Sequence, residues 1–95
     1  MSQNTEDFYQ RLKGELEKNT EQWPAEYLYK FIVPAKIENE KFIEKVFDNM
    51  GAIIKTKKSK NGNFTSFSIH VIMNNADAII KKYQEVSSVE GLISL

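Results

Sequence analysis

Residues 52–74 read AIIKTKKSKNGNFTSFSIHVIMN, and this stretch decides the fold. The pair Asn61-Gly62 lies between two runs that are rich in β-branched residues. Asparagine and glycine tolerate the positive φ angles of a type I′ turn, which joins two antiparallel strands by a two-residue loop. The sequence therefore predicts a tight β-hairpin, with one strand over 52–60 and the next over 63–74.

The strand over 63–74 alternates in polarity along its length. Because successive side chains of a strand point to opposite faces, one face of this strand is predicted to be buried and the other open. The predicted buried face carries Thr65, Phe67, Ile69, Val71 and Met73. The predicted open face carries Phe64, Ser66, Ser68, His70 and Ile72.

The segment before the hairpin predicts one strand and one helix. Residues 27–33 are aromatic and β-branched, which favours a strand in the middle of a sheet. Its predicted buried side chains are those of Tyr29, Phe31 and Val33. Residues 38–50 have apolar side chains at helical spacing and are followed by Gly51, a common helix stop. The apolar positions of this helix are Phe42, Ile43, Val46, Phe47 and Met50.

The segment after the hairpin predicts a second helix and a last strand. Asn74 or Asn75 is the predicted N-cap of a helix over 76–87, and residues 89–95 are predicted to form a short strand. The order is then β-α-β-β-α-β, and right-handed crossovers place both helices on one side of the sheet. This order predicts an α+β, ferredoxin-like sandwich whose antiparallel sheet has the strand order 4-1-3-2.

An additional helix is predicted at the N-terminus, over residues 5–18, with Thr5 as its N-cap. Its apolar side chains recur every fourth residue and form one narrow stripe, made by Phe8, Leu12 and Leu16. We therefore divide the chain into an N-terminal helix with its linker, residues 1–22, and a ferredoxin-like domain, residues 23–95.

Three aliphatic side chains are predicted to lie on the open face of the sheet, those of Leu28, Ile32 and Ile72. Contiguous aliphatic side chains at the centre of a sheet need a cover. The predicted cover is the apolar stripe of the N-terminal helix, because the linker that follows this helix is short. A homodimer formed through the same face is the alternative.

Composition excludes several classes of protein. The 95 residues fit one domain, and 13 basic and 13 acidic residues give a net charge of zero, which excludes a globally basic nucleic-acid binder. The absence of cysteine excludes disulfides and thiolate catalysis, and the single histidine excludes multi-histidine metal sites, so no cofactor is expected. The N-terminus is polar and the longest apolar run, residues 31–35, is short. No membrane span is therefore expected, and a cytoplasmic location is predicted.

A run of lysines beside the predicted turn has two interpretations. The lysines are Lys55, Lys57, Lys58 and Lys60. Lysines on an edge strand discourage pairing with another sheet, and this interpretation is favoured. A phosphate or nucleic-acid site on the hairpin is the alternative. A base-stacking surface needs exposed aromatic side chains, and only Phe64 is available, which argues against nucleic acid as the main partner.

Catalytic chemistry has little support in the sequence. His70 is the only histidine, and no orienting partner or nucleophile is indicated for it. The serines near the hairpin lack the glycine-rich turn that surrounds a nucleophilic serine in hydrolases. The chain is therefore not expected to be an enzyme.

The stretch from Ser59 to Ile69 resembles the signature of the YbeD-like family. That signature is a serine, a turn of glycine, asparagine and an aromatic residue, and then alternating serines and aliphatic residues. The similarity extends to Trp23-Pro24, to Tyr83 and to the apolar C-terminal segment, so that it covers about residues 23–95. These are small bacterial proteins of unknown function, also described as lipoate-regulatory proteins. The resemblance implies a domain similar to the ACT regulatory domains.

These observations predict a non-enzymatic regulatory or binding module that binds a protein partner or a small ligand. Nucleic-acid or phosphate-ligand binding through the lysine-rich hairpin is the alternative function. The predicted binding surface comprises Lys57, Lys58, Ser59, Lys60, Asn61, Gly62, Asn63, Phe64, Ser66, Ser68 and His70.

Overall fold

The structure, a computed structural model, describes residues 2–95, with side chains described from Glu6 onward. These residues form α1 (Ser2–Asn19), β1 (Ala25–Pro34), α2 (Ile37–Val46), β2 (Ile53–Lys58), β3 (Phe64–Met73), α3 (Ala76–Val86) and β4 (Ile93–Ser94). After α1 the order is β-α-β-β-α-β, as the sequence predicts.

The four strands form one antiparallel sheet in the order β2-β3-β1-β4, which is the predicted order read from the opposite edge. The central strands β1 and β3 pair along their whole length, from Ala25 opposite Met73 to Pro34 opposite Phe64. The edge strands are shorter, and β4 pairs with β1 only at Phe31 and Ile32.

One face of the sheet packs against α2 and α3 and forms the core. The predicted buried side chains of both central strands are confirmed, because each is at most 2% exposed. On α3, Asn75 is the N-cap, since its side-chain oxygen accepts a hydrogen bond from the Ala78 amide at 2.8 Å. The largest buried core side chains include Tyr29, Phe31, Phe47, Phe67, Ile43, Ile69 and Ile79.

Tyrosines give this core two internal hydrogen bonds. The Tyr29 hydroxyl donates to the carbonyl of Ile79 on α3 at 3.0 Å, and the hydroxyls of Tyr27 and Tyr83 share a bond of 2.8 Å. Burial is the main cause that raises the pKa of both Tyr29 and Tyr83 above the ordinary value for tyrosine. Both phenols therefore favour the neutral, hydrogen-bonded form in the folded protein.

The prediction that α1 covers the open face is wrong. The helix lies against α3, on the other side of the sheet, where Leu16 contacts the core and Lys13 forms a 2.9 Å ion pair with Asp77. The reason is that α3 has an outward apolar side chain, Ile80, which is only 8% exposed beside α1. At the start of the predicted stripe Phe8 is 58% exposed.

Thr5 is not the N-cap of α1, because the helix begins at Ser2 and Thr5 lies within it. The helix α2 ends at Val46, earlier than predicted, where the Lys82 side chain donates to the Val46 carbonyl at 2.8 Å. The chain continues in turns, with Asn49 in the left-handed region. These turns still place Phe47 in the core and leave Met50 half-buried against it, whereas Phe42 is exposed.

The last strand is shorter than predicted because tight turns occupy residues 86–92. The Val89 amide donates to the Val86 carbonyl, and the Leu92 amide donates to the Val89 carbonyl. Gly91, with a φ of 80°, lies within the second of these turns. Val89 is thus buried as part of a turn, and only Ile93 and Ser94 form the strand.

The predicted hairpin is present, but its turn is not of type I′. The Gly62 amide donates to the Ser59 carbonyl at 2.9 Å, so the turn is made by residues 59–62. Only Gly62, with a φ of 76°, has a positive φ in this loop, whereas a type I′ turn requires two such residues. The loop between the bonded residues Ser59 and Phe64 therefore has four residues rather than two.

Gly62→Val should lower the free energy of unfolding by more than about 1 kcal/mol, because a β-branched residue resists a positive φ. A Cβ at this position would meet nothing within 4 Å, so the cost is conformational rather than steric. Gly62→Asn is the matched control, since asparagine tolerates this region and should cost less. Urea denaturation measures both, and a valine variant as stable as wild type would contradict the turn geometry.

The buried tyrosines predict base sensitivity. The unfolded chain releases phenolic protons near pH 10, whereas Tyr29 and Tyr83 hold theirs to higher pH. The free energy of unfolding therefore keeps its full value below about pH 10 and falls as the pH rises above that value, because the unfolded chain then releases protons that the folded protein retains. Tyr29→Phe should make this decline shallower and should cost about 1 kcal/mol at neutral pH by removing the bond to Ile79. Urea denaturation across this pH range checks both effects, and equal slopes for variant and wild type would count against them.

Candidate binding site on the open face of the sheet

The face of the sheet opposite the helices is called here the open face. The pairing of β1 with β3 and of β3 with β2 places neighbouring side chains of the same face in rows across the strands. Lys57, Ser66 and Ile32 form one row, and the next row consists of Lys55, Ser68 and Lys30. The full open face comprises Glu26, Leu28, Lys30, Ile32, Ile53, Lys55, Lys57, Phe64, Ser66, Ser68, His70, Ile72 and Ile93.

Apolar side chains on the open face remain exposed. Ile53 is 62% exposed and Ile72 is 63% exposed, and neither has a helix above it. Leu28, Phe64 and Ile93 are also exposed, whereas Ile32 is half-buried. These side chains are spread over all four strands, which gives a mixed apolar and basic surface rather than a solvated polar one.

Six of the predicted site residues line one shallow cavity at the hairpin end of the open face. Its volume is about 350 Å³, and Ile32 of β1 completes the lining. The predicted residues in it are Lys57, Lys58, Ser59, Lys60, Phe64 and Ser66. The cavity therefore has an apolar part, made by Ile32 and Phe64, beside three lysines.

The predicted residues Ser68 and His70 line a second cavity further along β3. This cavity has a volume of about 260 Å³ and also contains Lys30, Lys55 and the aliphatic side chains of Leu28 and Ile53. The two cavities lie in adjacent rows of the same face, because Ser66 and Ser68 are two residues apart on β3.

Asn61, Gly62 and Asn63 do not line either cavity, and they shape the hairpin instead. The Asn61 side-chain oxygen accepts hydrogen bonds from the Ser59 hydroxyl at 3.0 Å and from the Asn63 amide at 3.2 Å. The Asn63 carbonyl accepts from the Ala35 amide at 2.9 Å, which holds the hairpin against the loop between β1 and α2. These residues therefore position the lysines.

The Ser59 and Ser66 hydroxyls are engaged in the same hairpin. Ser59 accepts from the Phe64 amide at 3.0 Å while it donates to Asn61, and Ser66 donates to the Lys57 carbonyl at 3.2 Å. Among the described residues, His70 makes no hydrogen bond with a serine. In the part of the chain that the structure describes, the open face therefore presents ammonium, hydroxyl and apolar groups without an arrangement for nucleophilic catalysis. Such a combination of groups suits recognition of a ligand.

Charge on the open face is predominantly positive. Lys30, Lys55 and Lys57 belong to it, and Glu26 is its single carboxylate within the described residues. The ion pairs described in residues 6–95 involve other lysines: Lys13 pairs with Asp77, and Lys82 pairs with Glu85. The lysines of the open face are therefore available to an external anion.

Lys30, Leu28 and Ile53 were not among the predicted site residues. Leu28 and Lys30 belong to β1, and their position beside the hairpin depends on the register between β1 and β3. The alternation of β1 predicts which face these side chains take, but strand pairing is needed to place Lys30 next to Ser68.

A family model described as a protein of unknown function, DUF493, matches residues 18–94. The chain belongs to this family. The resemblance to YbeD-like proteins is consistent with it, and that prediction is confirmed. No curated protein and no solved structure matches the chain.

Within residues 2–95, no helix is long and apolar enough to cross a membrane. The same residues contain no group of three or more histidine, aspartate or glutamate side chains that could hold a metal ion.

Ser59→Ala should loosen the hairpin, because it removes both the acceptor of the Phe64 amide and the donor to Asn61. We expect a loss of about 1 kcal/mol in the free energy of unfolding and faster hydrogen exchange at the Phe64 amide. Ser88→Ala is the control, since that hydroxyl makes a single 3.4 Å bond at the end of α3. Unchanged exchange at Phe64 would show that the hydroxyl does not shape the loop.

Proposed function

We propose that this chain is a non-enzymatic binding module and that the open face of its sheet binds a protein partner. The observation that carries the proposal is the exposure of Leu28, Ile53, Ile72 and Ile93 beside a lysine-rich hairpin, with α1 on the opposite side of the molecule. Apolar residues surrounded by polar ones are typical of protein interaction sites. The ferredoxin-like order of the strands and the resemblance to ACT domains support a regulatory module, and we propose a cytoplasmic location.

A phosphate ligand or a nucleic acid is the second candidate. The observation in its favour is the cavity that Lys57, Lys58 and Lys60 line at the hairpin. Binding through phosphates weakens steeply with salt, because cations are released from the nucleic acid. Apolar contact with a protein does not weaken in this way, so a ligand held through phosphates should be lost at high salt whether or not Ile53 and Ile72 are present.

The test uses immobilised full-length protein as bait for a native lysate, with nuclease treatment and at two salt concentrations. In one bait, Ile53→Ser and Ile72→Ser remove two exposed apolar side chains from the open face. In the matched control bait, Phe8→Ser and Ile37→Ser remove two side chains of similar exposure, 58% and 62%, from the helical side. We expect the open-face variant to lose, already at the lower salt concentration, proteins that wild type and control retain.

A captured protein counts only if its purified form binds wild type and fails to bind the open-face variant. Equal capture by all three baits would contradict the proposal. Capture that the open-face variant retains at low salt, and that nuclease or high salt then abolishes for all three baits, would favour the nucleic-acid or phosphate candidate. Light scattering on the full-length protein adds one further outcome: a dimer that Ile72→Lys dissociates would identify a second copy as the partner.

A further inference from the structure

A trough runs along β3 on the open face. Its floor is made by Ser66 and Ser68, whose side chains are short, and it leads to His70. The five strand residues from Ser66 to His70 span about 13 Å at the usual strand rise. The two open-face cavities follow one another along this line, in adjacent rows of the sheet, and their combined length is enough for several residues of an extended chain.

Lysines line both sides of the trough. Lys55 and Lys57 belong to β2, on one side, and Lys30 belongs to β1, on the other, directly across Ser68 from Lys55. Neighbouring strands are about 4.8 Å apart, so the backbones of Lys30 and Lys55 are separated by about 10 Å. A chain lying over Ser68 would therefore have an ammonium group on each side.

The spacing of the lysines matches an extended peptide. Lys55 and Lys57 are two residues apart and share a face, which separates their backbones by about 7 Å. In an extended peptide, alternate side chains point the same way with the same repeat. Carboxylates on alternate residues can then approach both lysines without any change in the backbone of either chain.

Other occupants fit the trough less well. A second copy placed face to face would bring lysines against lysines, with Glu26 as the single described carboxylate of the face to compensate. A single-stranded nucleic acid needs aromatic side chains on which its bases stack, and the floor here is serine, with Phe64 only at the hairpin end. Charge complementarity and the small floor therefore favour an acidic peptide.

We propose that the trough binds an extended acidic segment of a protein, with carboxylates on alternate residues beside Lys55 and Lys57 and a further carboxylate near Lys30. This inference rests on the proposed function and specifies the partner's chemistry. The Ser68 hydroxyl, for which no hydrogen bond is described in residues 6–95, can donate to the same segment.

The probe is a rhodamine-labelled peptide of sequence Thr-Val-Glu-Glu-Glu-Val-Thr with blocked ends. Its first and third glutamates point to one side of the extended chain, toward Lys55 and Lys57, and its second points to the other side, toward Lys30. The control peptide has glutamine in place of each glutamate. Full-length wild type is compared with the triple variant Lys30→Gln, Lys55→Gln and Lys57→Gln. The matched control is Lys41→Gln, Lys45→Gln and Lys81→Gln, which removes the same charge from exposed positions on α2 and α3. Fluorescence anisotropy measures affinity, and amide chemical shifts locate the bound peptide.

We expect the trough variant to bind the acidic peptide about tenfold more weakly than wild type, whereas the helix variant stays within about twofold. Shifts should concentrate at residues 66–70 of β3, and the glutamine peptide should bind far more weakly than the acidic one. Circular dichroism and the melting midpoint of each variant show whether a loss comes from unfolding.

Three outcomes would overturn the inference: equal weakening in the two lysine variants, no binding of the acidic peptide at millimolar concentration, or tighter binding of an oligothymidylate of equal charge. In each case the serine variants at Ile53 and Ile72 still report on the proposed function. Their loss of a purified protein partner would show that the open face binds protein, although not through an acidic extended segment.

Discussion

The antiparallel pairing of β1 with β3 is the constraint on which the rest of the molecule depends. The two strands pair at every position from Ala25–Met73 to Pro34–Phe64, and this register decides the face of each side chain. A shift by one residue would turn Phe31 and Phe67 outward and bring charged residues into the core. The same register that buries one set of side chains also arranges lysines, serines and aliphatic residues on the open face. Core and candidate site therefore depend on a single pairing.

Much of this arrangement can be predicted from the sequence, because successive side chains of a strand lie on opposite faces of the sheet. The alternation of β3 predicts both its faces, and the strand order follows from the hairpin and the two crossovers. The type of turn could not be predicted from Asn61-Gly62 alone, because this pair suits several turns. The choice depends on the Ser59 side chain, which holds the Asn61 side chain and the Phe64 amide within a longer loop.

The position of α1 was not predictable for a different reason. A narrow apolar stripe indicates that a helix packs against an apolar surface, but it does not indicate which of two such surfaces the helix packs against. The open face and the outer side of α3 both offered aliphatic side chains. Ile80 is buried at the second of these, and the ion pair of Lys13 with Asp77 lies there too. Similarly, the hairpin motif led to Lys57 and Ser66, whereas Lys30 joins them only through the pairing of distant strands.

The two interpretations of the lysine run are compatible once the faces of β2 are known. Edge protection requires charge along the exposed strand, whichever face carries it. Lys55, Lys57 and Lys58 supply this charge, whereas Lys60 lies in the hairpin loop. Recognition requires charge on the open face, where Lys55 and Lys57 lie, while Lys58 pairs opposite the buried Thr65. Strand positions that served stability alone would favour β-branched side chains over Ser66 and Ser68. Short hydroxyl side chains at the centre of the sheet, flanked by lysines on both sides, instead leave room for a bound chain.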